Sequence, residues 1–200
     1  VTADARLEFV AAICLIAMAV LGAYVAHRPL TPLDVEANAL RGRGTRIAVV
    51  FTRAGYWPAL AGVSVAVFAL AEALRWWPAF ALLLPVMQLL SQGVVDRIKA
   101  LFRRIRPDAW LYHQELGFSF PSGHACTAVV FYGGLIVYAW SVPLPMVLRV
   151  AVSLVLGVLV AGIPWSRLVL AAHYGTDVTG GALFGVAWLC GTLIVLGHVG

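Results

Sequence analysis

Six long apolar blocks, at residues 7–26, 57–74, 78–95, 125–140, 147–163 and 178–196, constrain this chain more than any other feature. Blocks of about 17–25 apolar residues can cross a bilayer as helices, since a helix satisfies its own backbone N–H and C=O groups without water. The fourth and fifth blocks are short, so their ends are the least defined. A soluble core needs no such runs. The chain is 62% hydrophobic and 12% charged, against about half and about a quarter in an ordinary globular domain. The sequence therefore predicts an all-α, polytopic membrane protein with six transmembrane helices, as one domain over residues 1–200. The first block does not read as a signal peptide: it is long, and no clear small-residue cleavage site follows it.

Six crossings put both termini on one side of the membrane, with the short connections near Arg75 and Val142. The three longer connections, 27–56, 96–124 and 164–177, share the other side. The first of them predicts one or two short helices lying in the interface. Thr31-Pro32 reads as an N-cap followed by proline at the first helical position, Asp34 and Glu36 suit a first turn, and Gly42 and Gly44 stop the helix. Trp57, Trp76, Trp77, Trp110, Trp140 and Trp165 fall near span ends, as an aromatic belt does. Gly180, Gly181 and Gly185 suit close packing of the sixth helix. Cys14, Cys126 and Cys190 read as buried apolar thiols.

The charges are lopsided. Arg6, Arg75 and Arg149 belong to the side of the termini; the other eleven of the fourteen Lys and Arg residues lie on the side of the long connections. In a membrane protein the net charge of +5 is no sign of nucleic-acid binding. A cationic cluster on one membrane face fits an anionic partner, and it equally fits the positive-inside rule.

Three motifs on that same side decide between these readings. The first runs from Lys99 to Arg106-Pro107; on a helix the two cations are about two turns apart and can share a face. They combine a compact ammonium with a planar fork, both phosphate donors. The second is Pro121-Ser122-Gly123-His124, where Ser122 can cap a helix, Gly123 lets backbone approach a ligand, and the helix start offers N–H groups to an anion. His124 projects from that rim. The third joins Ser166-Arg167 to His173 and Asp177. His173 and Asp177 are neighbours if the sixth helix has begun. A carboxylate there fixes the imidazole tautomer, so the other ring nitrogen can attack, and Arg167 adds a second fork for phosphoryl oxygens.

Together these motifs resemble the signature of the type 2 phosphatidic acid phosphatase superfamily: Lys-x6-Arg-Pro, Pro-Ser-Gly-His and Ser-Arg-x5-His-x3-Asp, matched here at every signature position. The resemblance implies a membrane lipid phosphatase. It makes His173 the nucleophile that takes the phosphoryl group, and Asp177 the group that holds and polarises it. It makes His124 the acid that protonates the departing lipid oxygen and the base that then activates water. Lys99, Arg106, Arg167, Ser122 and Gly123 would bind phosphoryl oxygens, with Ser166, Pro107 and Pro121 architectural. No metal and no cofactor is implied. The scarcity of carboxylates beside Asp177 argues independently against a two-metal mechanism, since three fixed cations can stabilise the charge that phosphoryl transfer spreads over its oxygens.

The expected partner is a phospholipid or isoprenyl phosphate: phosphatidylglycerol phosphate, phosphatidic acid, an isoprenyl phosphate or diphosphate, or a lipid A phosphate. The rival readings are a lipid phosphotransferase using the same phosphohistidine, and a transporter or scaffold with a decayed site, against which the intact motifs argue. Vanadium-dependent haloperoxidases share the pocket type but are soluble. Bacterial membrane members of the family face the active site outward, whereas eleven cations against three point it inward. We follow the family and expect an inner-membrane protein with an extracytoplasmic site. His27 and His198 fit interface positions; His113, with Tyr112 and Gln114, fits loop structure better than a lining of the substrate entry; Asp96, Arg97, Arg103 and Arg104 flank the first motif and read as solvated or headgroup-facing charge, with recruitment of anionic lipid or a second phosphate by Arg103 and Arg104 as the alternative.

Overall fold

The computed structural model describes residues 2–199 except His27, Pro29, Trp77 and Ala109, and gives only the backbone of Pro78, Ala79, His198 and Val199. The interface positions expected for His27, Trp77 and His198 therefore lie outside the described residues. Most of the described chain is helical, with an irregular segment over 103–122. Among the described residues, six helices are long and apolar enough to cross a membrane. They are α1 (Ala3–Ala26), α4 (Trp57–Leu74), α5 (Pro78–Phe102), a fourth span over Gly123–Ser141, α8 (Met146–Val169) and α9 (Gly175–Val199). The fourth span is composite: α6 (Gly123–Thr127), a π-helical segment (Ala128–Gly133) and α7 (Gly134–Ser141). Such wide turns are frequent at functional sites.

The apolar residues are divided between lipid and core. The fourth span is 67% buried and forms the centre, while α8 is 6% buried over its most apolar window. Phe9, Ile16 and Val20 on α1 and Leu154, Val155 and Val158 on α8 are exposed, as side chains solvated by lipid can be. Inside, Leu84, Phe131, Leu135 and Ile163 pack one layer, and Val25, Val95, Phe120, Val130 and Phe184 another. α1 runs along α9, and α9 lies against α6. The sixth-span glycines make that contact possible. A Cβ on Gly181 would sit 2.2 Å from the Ser122 carbonyl oxygen, and one on Gly185 would sit 2.9 Å from the Val129 Cβ. Cys126 and Cys190 are buried and Cys14 is partly exposed; all three are free thiols within spans.

The two short helices are present as α2 (Pro32–Asn38) and α3 (Thr45–Ala54). Thr31 caps α2 in a reciprocal box with Asp34. The glycines act later than expected. α2 ends at Asn38, and Gly42 and Gly44 take φ values of 77° and 78° in the turn that follows, with Gly44 capping α3. Leu33, Val35, Ile47 and Val50 are exposed, an outward apolar face suited to the lipid boundary. Underneath, Phe51 packs edge-on to Trp165 and fills the space beside Gly162, which fastens α3 to α8.

Candidate active site

The end of α5, the start of α6, the end of α8 and the start of α9 meet at one end of the bundle. The sequence motifs lie there. Lys99 is in the last turn of α5, with Nζ 3.5 Å from Asp96. The shared helical face expected for Lys99 and Arg106 is not formed. α5 stops at Phe102, and Arg103 turns left-handed at φ 50°, so the chain reverses its course and Arg106 arrives from an irregular segment. Its guanidinium donates to the carbonyls of Gly117, Leu116 and Ala172 and to Nε2 of His173, the last at 3.1 Å.

That contact assigns the imidazole. A guanidinium only donates, so Nε2 accepts and Nδ1 carries the proton. Nδ1 lies 3.3 Å from Ser119 Oγ and 3.5 Å from Asp177 Oδ2. His173 precedes α9 rather than lying on it, so a tight turn and not a helical face makes the pair. Burial pushes the imidazole down to about 4, against the opposing pull of Asp177. His173 is therefore neutral at pH 7, with a lone pair on Nε2.

Asp177 is fully enclosed. Its carboxylate accepts from Ser119 Oγ, from the backbone N–H of Tyr174 and, at 2.7 Å, from Arg104. Arg104 is thus no solvated charge. It is 5% exposed and bridges Asp177 to Asp34 on α2, also at 2.7 Å. Asp34 accepts further bonds from both the N–H and the hydroxyl of Thr176. Burial alone would raise the Asp34 carboxyl, but the Thr176 bonds and Arg104 outweigh it and hold it low. Arg103 stays exposed, as expected.

Ser122 caps α6 with Oγ 3.4 Å from the Ala125 N–H, while its own N–H donates to the Asp177 carbonyl at 2.9 Å. The second and third motifs are thereby tied backbone to backbone, at the place where Gly181 admits α9. A Cβ on Gly123 would meet Gln92 Oε1 at 2.8 Å and Lys99 Nζ at 3.8 Å, so the ammonium lies just over this turn. His124 is wedged between Gly55 and Tyr56; the Tyr56 ring meets it edge-on at 4.7 Å. Its Nε2 is buried with no hydrogen-bond partner among the described residues. Arg167, His173, Lys99 and Glu115 all act on this imidazole electrostatically.

Arg167 is 1% exposed and donates to Thr52 on α3 and to Glu115. Glu115 also accepts from the Tyr56 hydroxyl at 2.8 Å. Burial would raise the Glu115 carboxyl, yet Arg167 and that hydroxyl bring it down to about 2. The Tyr56 hydroxyl is pushed up to about 12, by burial first and by Glu115 second. His113 lies 2.6 Å from the same hydroxyl and Tyr112 accepts from Arg53, so this loop packs over α3 and the start of α4. Ser166 bonds back to the Ile163 carbonyl at 2.6 Å, a structural position. Sequence reasoning missed Asp34, Thr52, Tyr56, Arg104, Glu115, Ser119 and Thr176. None is a signature residue: Arg104 and Thr176 fill variable positions inside the first and third motifs, the others lie outside the motifs, and their partners are far away in the chain.

Among the described residues, no three His, Cys, Asp or Glu side chains are grouped to hold a metal ion. The arrangement offers three cations, a helix start, a neutral imidazole whose Nε2 lone pair meets the Arg106 guanidinium, and a second imidazole with an unpartnered nitrogen. That set can bind a tetrahedral anion and transfer its phosphoryl group.

The chain is 35% identical over 91 residues to phosphatidylglycerophosphatase B of Bacillus subtilis (strain 168), a match spanning 44% of each protein. Its fold is similar to the crystal structure of a transmembrane PAP2 type phosphatidylglycerolphosphate phosphatase from Bacillus subtilis. The TM-score is 0.76 at 23% identity, over 94% of this chain and 96% of that one. The model of the PAP2 superfamily matches residues 76–198, which contain all three motifs, and the chain belongs to that superfamily.

Proposed function

We propose that this protein is a lipid phosphatase that works through a phosphohistidine, with phosphatidylglycerol phosphate as its first candidate substrate. The lipid's phosphate enters among Lys99, Arg106, Arg167, the Ser122 hydroxyl and the Gly123 N–H. His173 Nε2 attacks phosphorus; the N–P bond forms as the P–O bond to the lipid breaks. His124 gives a proton to the departing oxygen. It then takes one from a water molecule, which attacks phosphorus and releases inorganic phosphate, and both histidines return to their starting states. Asp177 keeps Nδ1 protonated and stabilises the positive imidazole. Fixed cations then meet the charge of the transition state without reorganising.

The observation that carries this reading is the 3.1 Å bond from Arg106 to His173 Nε2. A phosphate-binding cation and the attacking lone pair converge on one point, and an incoming phosphate would replace His173 as the partner of that N–H. The names of the two Bacillus proteins favour phosphatidylglycerol phosphate over phosphatidic acid, an isoprenyl diphosphate or lipid A phosphate. The test is phosphate release from a panel of these lipids with chelator present. His173→Ala should lose turnover while keeping its helical content and unfolding temperature; retained turnover rejects the nucleophile. Release of inorganic phosphate without an added acceptor separates hydrolysis from transfer to a second lipid. We place the site on the extracytoplasmic face of the inner membrane. Labelling of Arg43→Cys from the cytoplasm alone would reverse that orientation.

A further inference from the structure

A cavity of about 200 Å³ opens between α4 and α5 and reaches His124. Trp57, Leu60 and Leu89 give it apolar walls, and Gln88, Gln92 and Thr127 give it polar ones. Polar side chains within a span are costly unless their donors and acceptors find partners. Gln88 and Gln92 are one helical turn apart and share a face. The Thr127 hydroxyl oxygen accepts from both amides, at 2.7 Å from Gln88 Nε2 and 3.2 Å from Gln92 Nε2. The donor end of Gln88 is therefore satisfied. Its acceptor end is not: Oε1 is buried and has no partner among the described residues, on a side chain whose residue is 2% exposed. The second unpartnered atom on this cavity is Nε2 of His124.

We propose that this cavity is a subsite for the leaving alcohol, in which Gln88 Oε1 accepts a hydrogen bond from a free hydroxyl next to the ester being cleaved. The inference rests on the reading of His124 as the group that meets the leaving oxygen. Thr127, which holds Gln88, is three residues beyond His124, roughly 4.5 Å along the helix axis. An alcohol whose ester oxygen meets His124 thus presents its neighbouring hydroxyl at the depth of Gln88, with its chains running out past Leu60 and Leu89. A glycerol headgroup carries such a hydroxyl. Diacylglycerol, the leaving alcohol of phosphatidic acid, carries acyl esters in its place, and an isoprenol carries nothing. A site with a buried, unpaired acceptor rejects the analogue that cannot donate to it.

The experiment compares phosphatidylglycerol phosphate with its analogue lacking the free headgroup hydroxyl, in detergent–lipid micelles, by phosphate release. The wild-type protein should favour the hydroxyl-bearing lipid by at least about tenfold in kcat/KM. Gln88→Met, which keeps the side-chain length and removes the acceptor, should bring that ratio close to unity. Equal rates on the two lipids in the wild type overturn the subsite, and that comparison holds even where Gln88→Met does not fold. A preference that survives in Gln88→Met overturns the assignment to this residue. Wild-type inactivity on both lipids, with release from another lipid phosphate, refutes the glycerol-type headgroup; inactivity on every lipid phosphate strikes the phosphatase reading itself.

Discussion

Replacing Arg104 by methionine removes a charge at a variable position of the first motif, which the structure places between two buried carboxylates. The guanidinium is 4% exposed and both carboxylates are 0% exposed, at 2.7 Å on either side. Thr176 and the Tyr174 ring, 4.4 Å from the guanidinium carbon, complete its surroundings. Breaking a buried pair from one side costs about 3–5 kcal/mol, because the remaining charge stays buried without its partner. Here two carboxylates are left, but each keeps other donors: Asp177 keeps Ser119 and the Tyr174 N–H, and Asp34 keeps Thr31 and Thr176. The loss should therefore fall at the low end, about 3 kcal/mol, or roughly 6–12 °C in Tm for a chain of this length. Thermal unfolding in detergent, followed by tryptophan fluorescence and circular dichroism, measures it. Adding Asp34→Asn to Arg104→Met should recover part of the loss, since it removes one uncompensated charge. A Tm within about 2 °C of wild type, or a double variant that loses the sum of both single effects, refutes the reasoning.

Gly181→Ala should lower both Tm and turnover, because its Cβ would lie 2.2 Å from the Ser122 carbonyl and push α9 from the turn it aligns; unchanged values for both would show that the helices have room to move. Glu115 is held at about 2 by Arg167, so its stabilisation is present above its ordinary value and lost as pH falls through about 2. Tm of the wild type should drop across that window, and Glu115→Gln should flatten the drop; an unaltered acid limb counts against the pair. The His173 ring proton in selectively labelled protein should titrate near pH 4, with the imidazole neutral above it. A titration near the ordinary histidine value of about 6.5 would mean that the ring is more hydrated than the structure shows.

The six crossings were legible in the sequence because the bilayer sets a length, and a run of apolar residues either meets it or does not. α2 was legible for an equally local reason: Thr31, Pro32 and Asp34 act within a single turn. The three motifs could be read as phosphate chemistry because each is short, and crossing parity put all of them on one side. Longer-range arrangements were not legible. Lys99 and Arg106 looked like one helical face until the left-handed turn at Arg103 separated them. Arg104 looked solvated because nothing near it in the chain is its partner; Asp34 is 70 residues away and Asp177 is 73. Glu115 and Arg167, 52 residues apart, pair only because the 103–122 segment folds back over α3 and α8. Sequence alone thus determined which segments are long and apolar enough to cross the membrane and which local groups have the chemistry to meet an anion. Packing decided which buried charges neutralise one another, since that depends on where α9 comes to rest against the Ser122 turn, a contact written in the absent side chain of Gly181.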